Sequence, residues 1–195
     1  MNGKSHQSPL RLVRQDREEL EPLLVGGEGL ARGHGLECPN CKGRFARRSH
    51  RRGVWEFLCS LVLVYPYRCQ LCAHRFLATP RPRPRTPHRE FARLYVRFPA
   101  SFRSAYAGQT VGGEGTVVTL SIRGCSLFSL QPLVKGTLLR LHIHHVEQQA
   151  PIEVEVAAVR SSSRRRMGIE FLHLQPNEQA RLRRLLEHLF YGRFH

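Results

Sequence analysis

The chain has 195 residues, enough for one large domain or two small ones. Lys and Arg number 31 against 15 Asp and Glu, a formal charge of +16, and 41% of the residues are hydrophobic. That apolar content excludes wholesale disorder, and the charge calls for an anionic partner: nucleic acid, nucleotide or acidic lipid.

The charge is uneven. Residues 1–37 hold five basic and six acidic side chains, residues 38–90 hold 12 and two, and residues 91–195 hold 14 and seven. The start of the chain lacks a basic segment followed by an apolar run, so no signal peptide is expected. The longest apolar stretch, Phe57 to Val64, covers eight residues, whereas a spanning helix needs about 20. The expectation is a cytoplasmic protein without a transmembrane segment, with contact to a membrane surface left open.

Residues 1–36 read as a flexible tail, polar and glycine-rich towards its end, in which Leu10 to Leu24 fits one short amphipathic helix. Residues 37–77 form the first candidate module. About 40 residues are too few to fold on a hydrophobic core alone, so a staple is required. Four cysteines supply it as two CxxC pairs, Cys38/Cys41 and Cys69/Cys72. Two such turns brought together make a tetrahedral S₄ cage that suits Zn²⁺ in a closed, structural site, with no open position for catalysis. Metal binding would then drive folding, with roughly 10–16 kcal/mol available in comparable peptides. Reduced, unliganded cysteines and a redox dithiol are the competing readings. Either way the pattern fits a reducing compartment better than a disulfide framework. The segment resembles the zinc ribbons of many bacterial proteins, most closely from Tyr67-Arg68-Cys69 to His74-Arg75-Phe76, which implies a structural zinc and no particular ligand. The 27 residues between the pairs exceed the 15–20 common in ribbons. They hold an arginine cluster (Arg44, Arg47, Arg48, Arg51, Arg52), which reads as a phosphate grip or a solvated face. The apolar run that follows is expected to pack against the ribbon or the second domain. Dipping into an interface beneath anionic headgroups is the alternative.

Residues 78–88 form a linker in which Pro and Arg alternate from Thr79 to His88. Proline removes backbone donors and fixes φ, so the segment is expected to be extended, basic and semi-rigid.

Residues 89–195 form the second domain, dominated by short alternating runs. Thr116–Leu120 is strand-like, and Leu139–His144, Ile152–Val159 and the trio Met167, Ile169, Phe171 each alternate apolar residues onto one face. Gly and Pro clusters separate them. The fold class is therefore mainly β: a small antiparallel barrel or sandwich. The period then changes. Pro176 stands at a first helical position, and Leu182, Leu185, Leu186 and Leu189 recur at helical spacing, which predicts a C-terminal amphipathic helix packed on the barrel.

Two motifs in this domain carry chemistry. The first is Arg93 and Arg97 with Phe98-Pro99 behind them. The second is Thr119-Leu120-Ser121-Ile122-Arg123-Gly124. Together with Met167-Gly168-Ile169-Glu170-Phe171 and the closing helix, in that order, they resemble a PilZ domain, the bacterial receptor module for cyclic di-GMP. Its motifs are RxxxR and [D/N]xSxxG. The resemblance spans residues 89–190. It implies a small antiparallel β-barrel closed by a C-terminal helix, a cyclic di-GMP ligand, and a site at Arg93, Arg97, Thr119, Ser121 and Gly124. Arginine offers a planar fork to phosphate oxygens or to guanine O6 and N7 and can stack on the base. Ser121 can hydrogen-bond the guanine edge, and Gly124 permits a tight turn. The family's arginine segment orders on binding, so ligand could reorient the linker and couple the two domains. Thr119 departs from the motif's Asp or Asn. A neutral hydroxyl in place of that acceptor is worth roughly 1–3 kcal/mol less. Arg89, four residues before Arg93, leaves a shifted register open.

Other candidates read as structural. His142 and His144 share a strand face and are expected to be exposed rather than metal-bound. Arg164, Arg165 and Arg166 fit a hairpin turn better than a phosphate grip. Cys125 fits a small buried apolar residue, and Glu153 and Glu155 the wet face of a strand. No nucleophile–base order, phosphate-binding glycine loop or catalytic metal pattern is present, so no enzyme is expected. The leading function is a bacterial, zinc-containing cyclic di-GMP receptor that signals to an effector protein. The alternative is a nucleic-acid-binding zinc ribbon with a PilZ-like barrel that has lost nucleotide binding and serves as an interaction domain.

Overall fold

The computed structural model describes residues 36–79, 90–105, 112–145 and 150–191. The expected tail with its short helix, apart from Leu36, and the Pro-Arg linker, apart from residues 78–79, lie outside them. All of the described residues belong to one compact unit.

The cysteine module is a three-stranded antiparallel sheet in the order β1 (Ala46–Arg48), β2 (Tyr65–Cys69), β3 (Arg75–Ala78). Its core is small. Ala46, Tyr65 and Tyr67 are buried, with Leu36, Phe76 and Ala78 packed around them, and Tyr67 stacks on Phe76 at 6.1 Å. The Arg48 guanidinium covers the Tyr65 ring at 3.9 Å. Helix α1 (Val54–Leu61) lies in the excursion between β1 and β2. The apolar run does not pack as expected: Trp55, Phe57, Leu58, Leu61, Val62 and Leu63 are exposed. The reason is the helix's opposite face. Glu56 there is tied by both oxygens to Arg75 of β3 (2.7–3.1 Å), and the buried Ser60 hydroxyl donates to Phe57 O at 2.6 Å.

The second domain is a closed barrel of six antiparallel strands: β4 (Leu94–Ser104), β5 (Gly112–Ser121), β6 (Gly124–Phe128), β7 (Leu138–Ile143), β8 (Ile152–Ser163) and β9 (Arg166–His173). Their spatial order is β4-β5-β6-β9-β8-β7, closed by pairing of β4 with β7. Alternation decides the interior. Leu139, Leu141 and Ile143 of β7 are buried, as are Ile152 and Val154 of β8 and Met167, Ile169 and Phe171 of β9. Arg164 and Arg165 form the β8–β9 hairpin turn, with Arg164 at φ 45°. Helix α2 (Pro176–Tyr191) starts at the expected proline and buries Leu182, Leu186 and Phe190. Leu185 and Leu189 sit at the half-buried edge of that stripe. The buried carboxylate of Glu178 accepts the Glu153 N–H (2.9 Å) and is paired with Arg181 at 2.9 Å, which ties the helix's first turn to β8.

The module is seated on the barrel rather than merely tethered. Phe45 stacks on Phe190 with ring centroids 4.7 Å apart and meets Tyr191 edge-on at 5.0 Å. Buried Gln70 accepts the Ala92 N–H at 2.6 Å and donates to Glu90 O at 3.2 Å, so the chain entering β4 is held by the module.

Candidate functional site

The two CxxC turns repeat one geometry. The carbonyl of Cys38 accepts the Lys42 N–H and that of Cys69 accepts the Ala73 N–H; the Cys38 N–H donates to Gly43 O and the Cys69 N–H to His74 O. Lys42 and Ala73 both take left-handed φ, 62° and 59°. Two non-glycine residues in that region cost free energy that a bound ion would offset. The four Sγ atoms lie within 4.8 Å of one another. Cys38 and Cys72 are 3.7 Å apart and Cys41 and Cys69 3.5 Å, too long for disulfides. A zinc–sulfur bond of about 2.3 Å gives tetrahedral S···S edges of about 3.8 Å, so the residues fit a Cys₄ metal.

Burial pushes the Cys41 and Cys69 thiols up. Burial works the same way on Cys72, but hydrogen bonds from the His74 backbone and the Asn40 amide outweigh it and bring that thiol down. Of the other two cysteines, Cys125 is buried and pushed up to about 12 by desolvation, the behaviour of an inert core residue. His142 and His144 join no metal-competent group among the described residues.

The second feature is a cleft of about 530 Å³ where the module meets the barrel. Arg93, just before β4, lines it and is exposed. So do Ser121, Arg123 and Gly124 of the two-residue hairpin joining β5 to β6, and Arg160, Ser161 and Glu170 from β8 and β9. The module adds Arg52 and Arg68. Five arginines thus face two carboxylates, Glu90 and Glu170. Glu170 is paired with Arg160 at 2.5 Å. Glu90 accepts from Ser49 Oγ at 2.6 Å and is flanked by Arg68 at 3.2 Å, Arg75 at 3.5 Å and Arg52 at 3.7 Å. Burial acts to raise its carboxyl, and Ser49 and the three guanidinium groups bring it below the ordinary range. Burial depresses Arg68, whose guanidinium lies 5.5 Å from the Phe91 ring.

The expected site residues divide. Arg93, Ser121 and Gly124 meet in the cleft, whereas Arg97 and Thr119 are not among its lining residues. Arg97 is exposed on β4 at an irregularity between Tyr95 and Phe98. Thr119 is only 3% exposed, and its hydroxyl is a buried polar atom without a hydrogen-bond partner. The Ser121 hydroxyl donates to Gly124 O across the turn at 2.9 Å. A Cβ at Gly124 would stand 2.2 Å from Ile169 O, so glycine here is required by the close approach of β9. The sequence reading assigned no ligand role to Arg68, Arg123 or Arg160. Arg123 occupies a variable position inside the second motif, and its place at the tip of a two-residue turn is the one signal that pointed to it.

A family model described as PilZ domain matches residues 87–188, just over half of the chain. Similar solved structures include the PilZ domain of CeSA from a cellulose-synthesizing bacterium, 16% identical over 53% of this chain and 99% of that one, with a TM-score of 0.41. The PilZ domain of YcgR from Escherichia coli with c-di-GMP is 14% identical over 54% and 94%, with a TM-score of 0.42. The Bacillus subtilis inhibitor of motility is 16% identical over 67% and 68%, with a TM-score of 0.45. No curated protein matches the chain.

Proposed function

The chain belongs to the PilZ family, and from that premise we propose that it is a cyclic di-GMP receptor, not an enzyme, whose cysteine module is held by a structural zinc. The observation that carries this reading is the cleft: Arg93, Arg123, Arg160 and Arg68 converge on it from four separate segments, beside Ser121 and Gly124 of the family's second motif. A dianionic ligand with two purines suits such a lining. Guanidinium forks hold phosphate oxygens or the guanine O6/N7 edge, and their flat faces stack on the bases. In this reading Arg93 is the principal anchor and Arg97 the second arginine of the family's first motif. Ser121 and Gly124 shape the hairpin that presents Arg123. In this reading Thr119, whose hydroxyl is buried, makes no contact with the ligand.

Cys38, Cys41, Cys69 and Cys72 would hold the zinc. Four thiolates this close repel one another, and a divalent cation supplies the neutralising charge and leaves no site for substrate. Its part is to fold the module that carries Arg52 and Arg68 to the cleft.

Calorimetric titration of the zinc-loaded protein with cyclic di-GMP, with GTP and cyclic di-AMP as controls, tests the reading. Selective binding at micromolar affinity or better is expected, with Arg93→Ala abolishing it at unchanged thermal stability. No binding of cyclic di-GMP at high concentration, or full affinity in Arg93→Ala, would overturn it.

A further inference from the structure

Helix α1 presents its apolar face outward. At 3.6 residues per turn Val54, Leu58 and Leu61 share one face, with Trp55 and Phe57 at its flanks. All five are exposed, from 48% at Leu58 to 75% at Val54, and Val62 and Leu63 continue the patch beyond the helix. The opposite face turns inward, where Ser60 is buried and Glu56 is ion-paired with Arg75. The rotation of the helix is therefore set by a specific polar contact, the Glu56–Arg75 pair. A contiguous exposed patch of this kind marks an interaction surface.

The edge of the patch is cationic. His50, Arg51 and Arg52 lead into the helix through Gly53. The Arg51 guanidinium lies 5.6 Å from the Phe57 ring, so positive charge borders the apolar face directly. Residues 38–90 carry 12 Lys and Arg against two Asp and Glu. An anionic bilayer offers the complement: hydrocarbon beneath a negative layer. A second copy of this chain would set one arginine-rich edge against another, which like-charge repulsion opposes. At 1.5 Å per residue the helix is about 12 Å long, too short to span a membrane and suited to lying in its interface. Tryptophan at the rim of the patch is well suited to the headgroup level.

We propose that the exposed face of α1, bordered by Arg51, docks this protein reversibly on anionic lipid bilayers.

Trp55 is the chain's single tryptophan and lies in the patch, so its fluorescence reports the contact. The full-length, zinc-loaded protein is mixed with phosphatidylcholine vesicles, and with vesicles containing about one-third phosphatidylserine. A blue shift, and quenching by brominated acyl chains, are expected with the anionic vesicles only. Raised salt should weaken both. Arg51→Gln should lower partitioning about fivefold, the worth of one cation near such a surface. Leu58→Ser with Leu61→Ser should abolish the shift while zinc content stays unchanged. Solvent-like emission with both vesicle types would overturn the proposal. So would capture on anionic vesicles without any change in Trp55, which would assign binding to arginines elsewhere. Emission already blue-shifted without vesicles would also overturn it: a dependence on protein concentration would identify a second copy as the occupant, and none would identify a segment of the same chain.

Discussion

The cysteine module and the barrel meet the problem of folding in opposite ways. The barrel closes on itself and fills its interior with aliphatic side chains from all six strands. The module buries little more than two tyrosines and an alanine in its sheet. It relies instead on four converging thiols and on the ion-pair cluster around Arg75. Its largest apolar element points outward. The comparison teaches that the apolar residues of the two halves serve different ends. In the barrel they make the core; in the module the thiol cluster and polar contacts take a larger share, which leaves apolar side chains available for a surface.

Removing the proposed zinc should break the comparison most severely. Chelation, or Cys69→Ser, is expected to unfold the module and leave the barrel standing, because metal binding in such small domains is worth on the order of 10 kcal/mol. Hydrogen exchange should show residues 36–79 exchanging freely while β7 and β8 remain protected. Loss of protection throughout would mean that the barrel depends on the module.

The converse change is smaller. Leu141→Ala removes a fully buried side chain from the barrel and is expected to cost roughly 2–5 kcal/mol. The melting temperature should fall while zinc stoichiometry is unchanged in the folded fraction.

Within the module, Arg75→Ala should cost roughly 1–3 kcal/mol, since it takes the bidentate cation from Glu56 and leaves that carboxylate only the Arg52 N–H. The pH dependence follows from the same pair. Hydrogen bonding to Arg75 holds the Glu56 carboxyl below its ordinary value of 4.5. A carboxyl lowered by folding contributes stability that is fully present above the unfolded value and lost as pH falls through the folded one. Glu56→Gln should therefore flatten the acid limb of module unfolding below about pH 4.5. An unaltered limb would show that the thiols alone set it.

The smallest expected effect is at Thr119. Thr119→Val keeps the shape and removes a buried hydroxyl that has no partner, so stability should be unchanged or rise by about 1 kcal/mol. Cyclic di-GMP affinity should not change. A loss of affinity would return Thr119 to the contact set.

Much of this organisation was legible in the sequence. Period-two runs gave β7, β8 and β9 because alternate side chains enter a single core; β5 was legible from its β-branched composition, and its second half is buried on both faces; Pro176 with the leucine stripe gave α2. The cysteine spacing gave the sulfur cluster. The site was legible only in part. Arg93 and Arg97 are four residues apart, which on a regular strand puts both on one face. The irregularity between Tyr95 and Phe98 interrupts that alternation, and Arg97 is not in the cleft wall. Arg52 and Arg68 reach the cleft because Phe45 and Gln70 seat the module on the barrel, a long-range docking that no local pattern encodes. The outward apolar run was misread for a related reason: its orientation is set by Glu56 finding Arg75, 19 residues away.

The central claim is that one cleft, walled by both halves, takes the dinucleotide. Hydrogen–deuterium exchange of the zinc-loaded protein with and without cyclic di-GMP tests it most directly. The account predicts slowed exchange on both walls together, at the Ser121–Gly124 hairpin of the barrel and around Arg68 in the module. Protection elsewhere with both walls unaffected, or no change anywhere at saturating ligand, would contradict it.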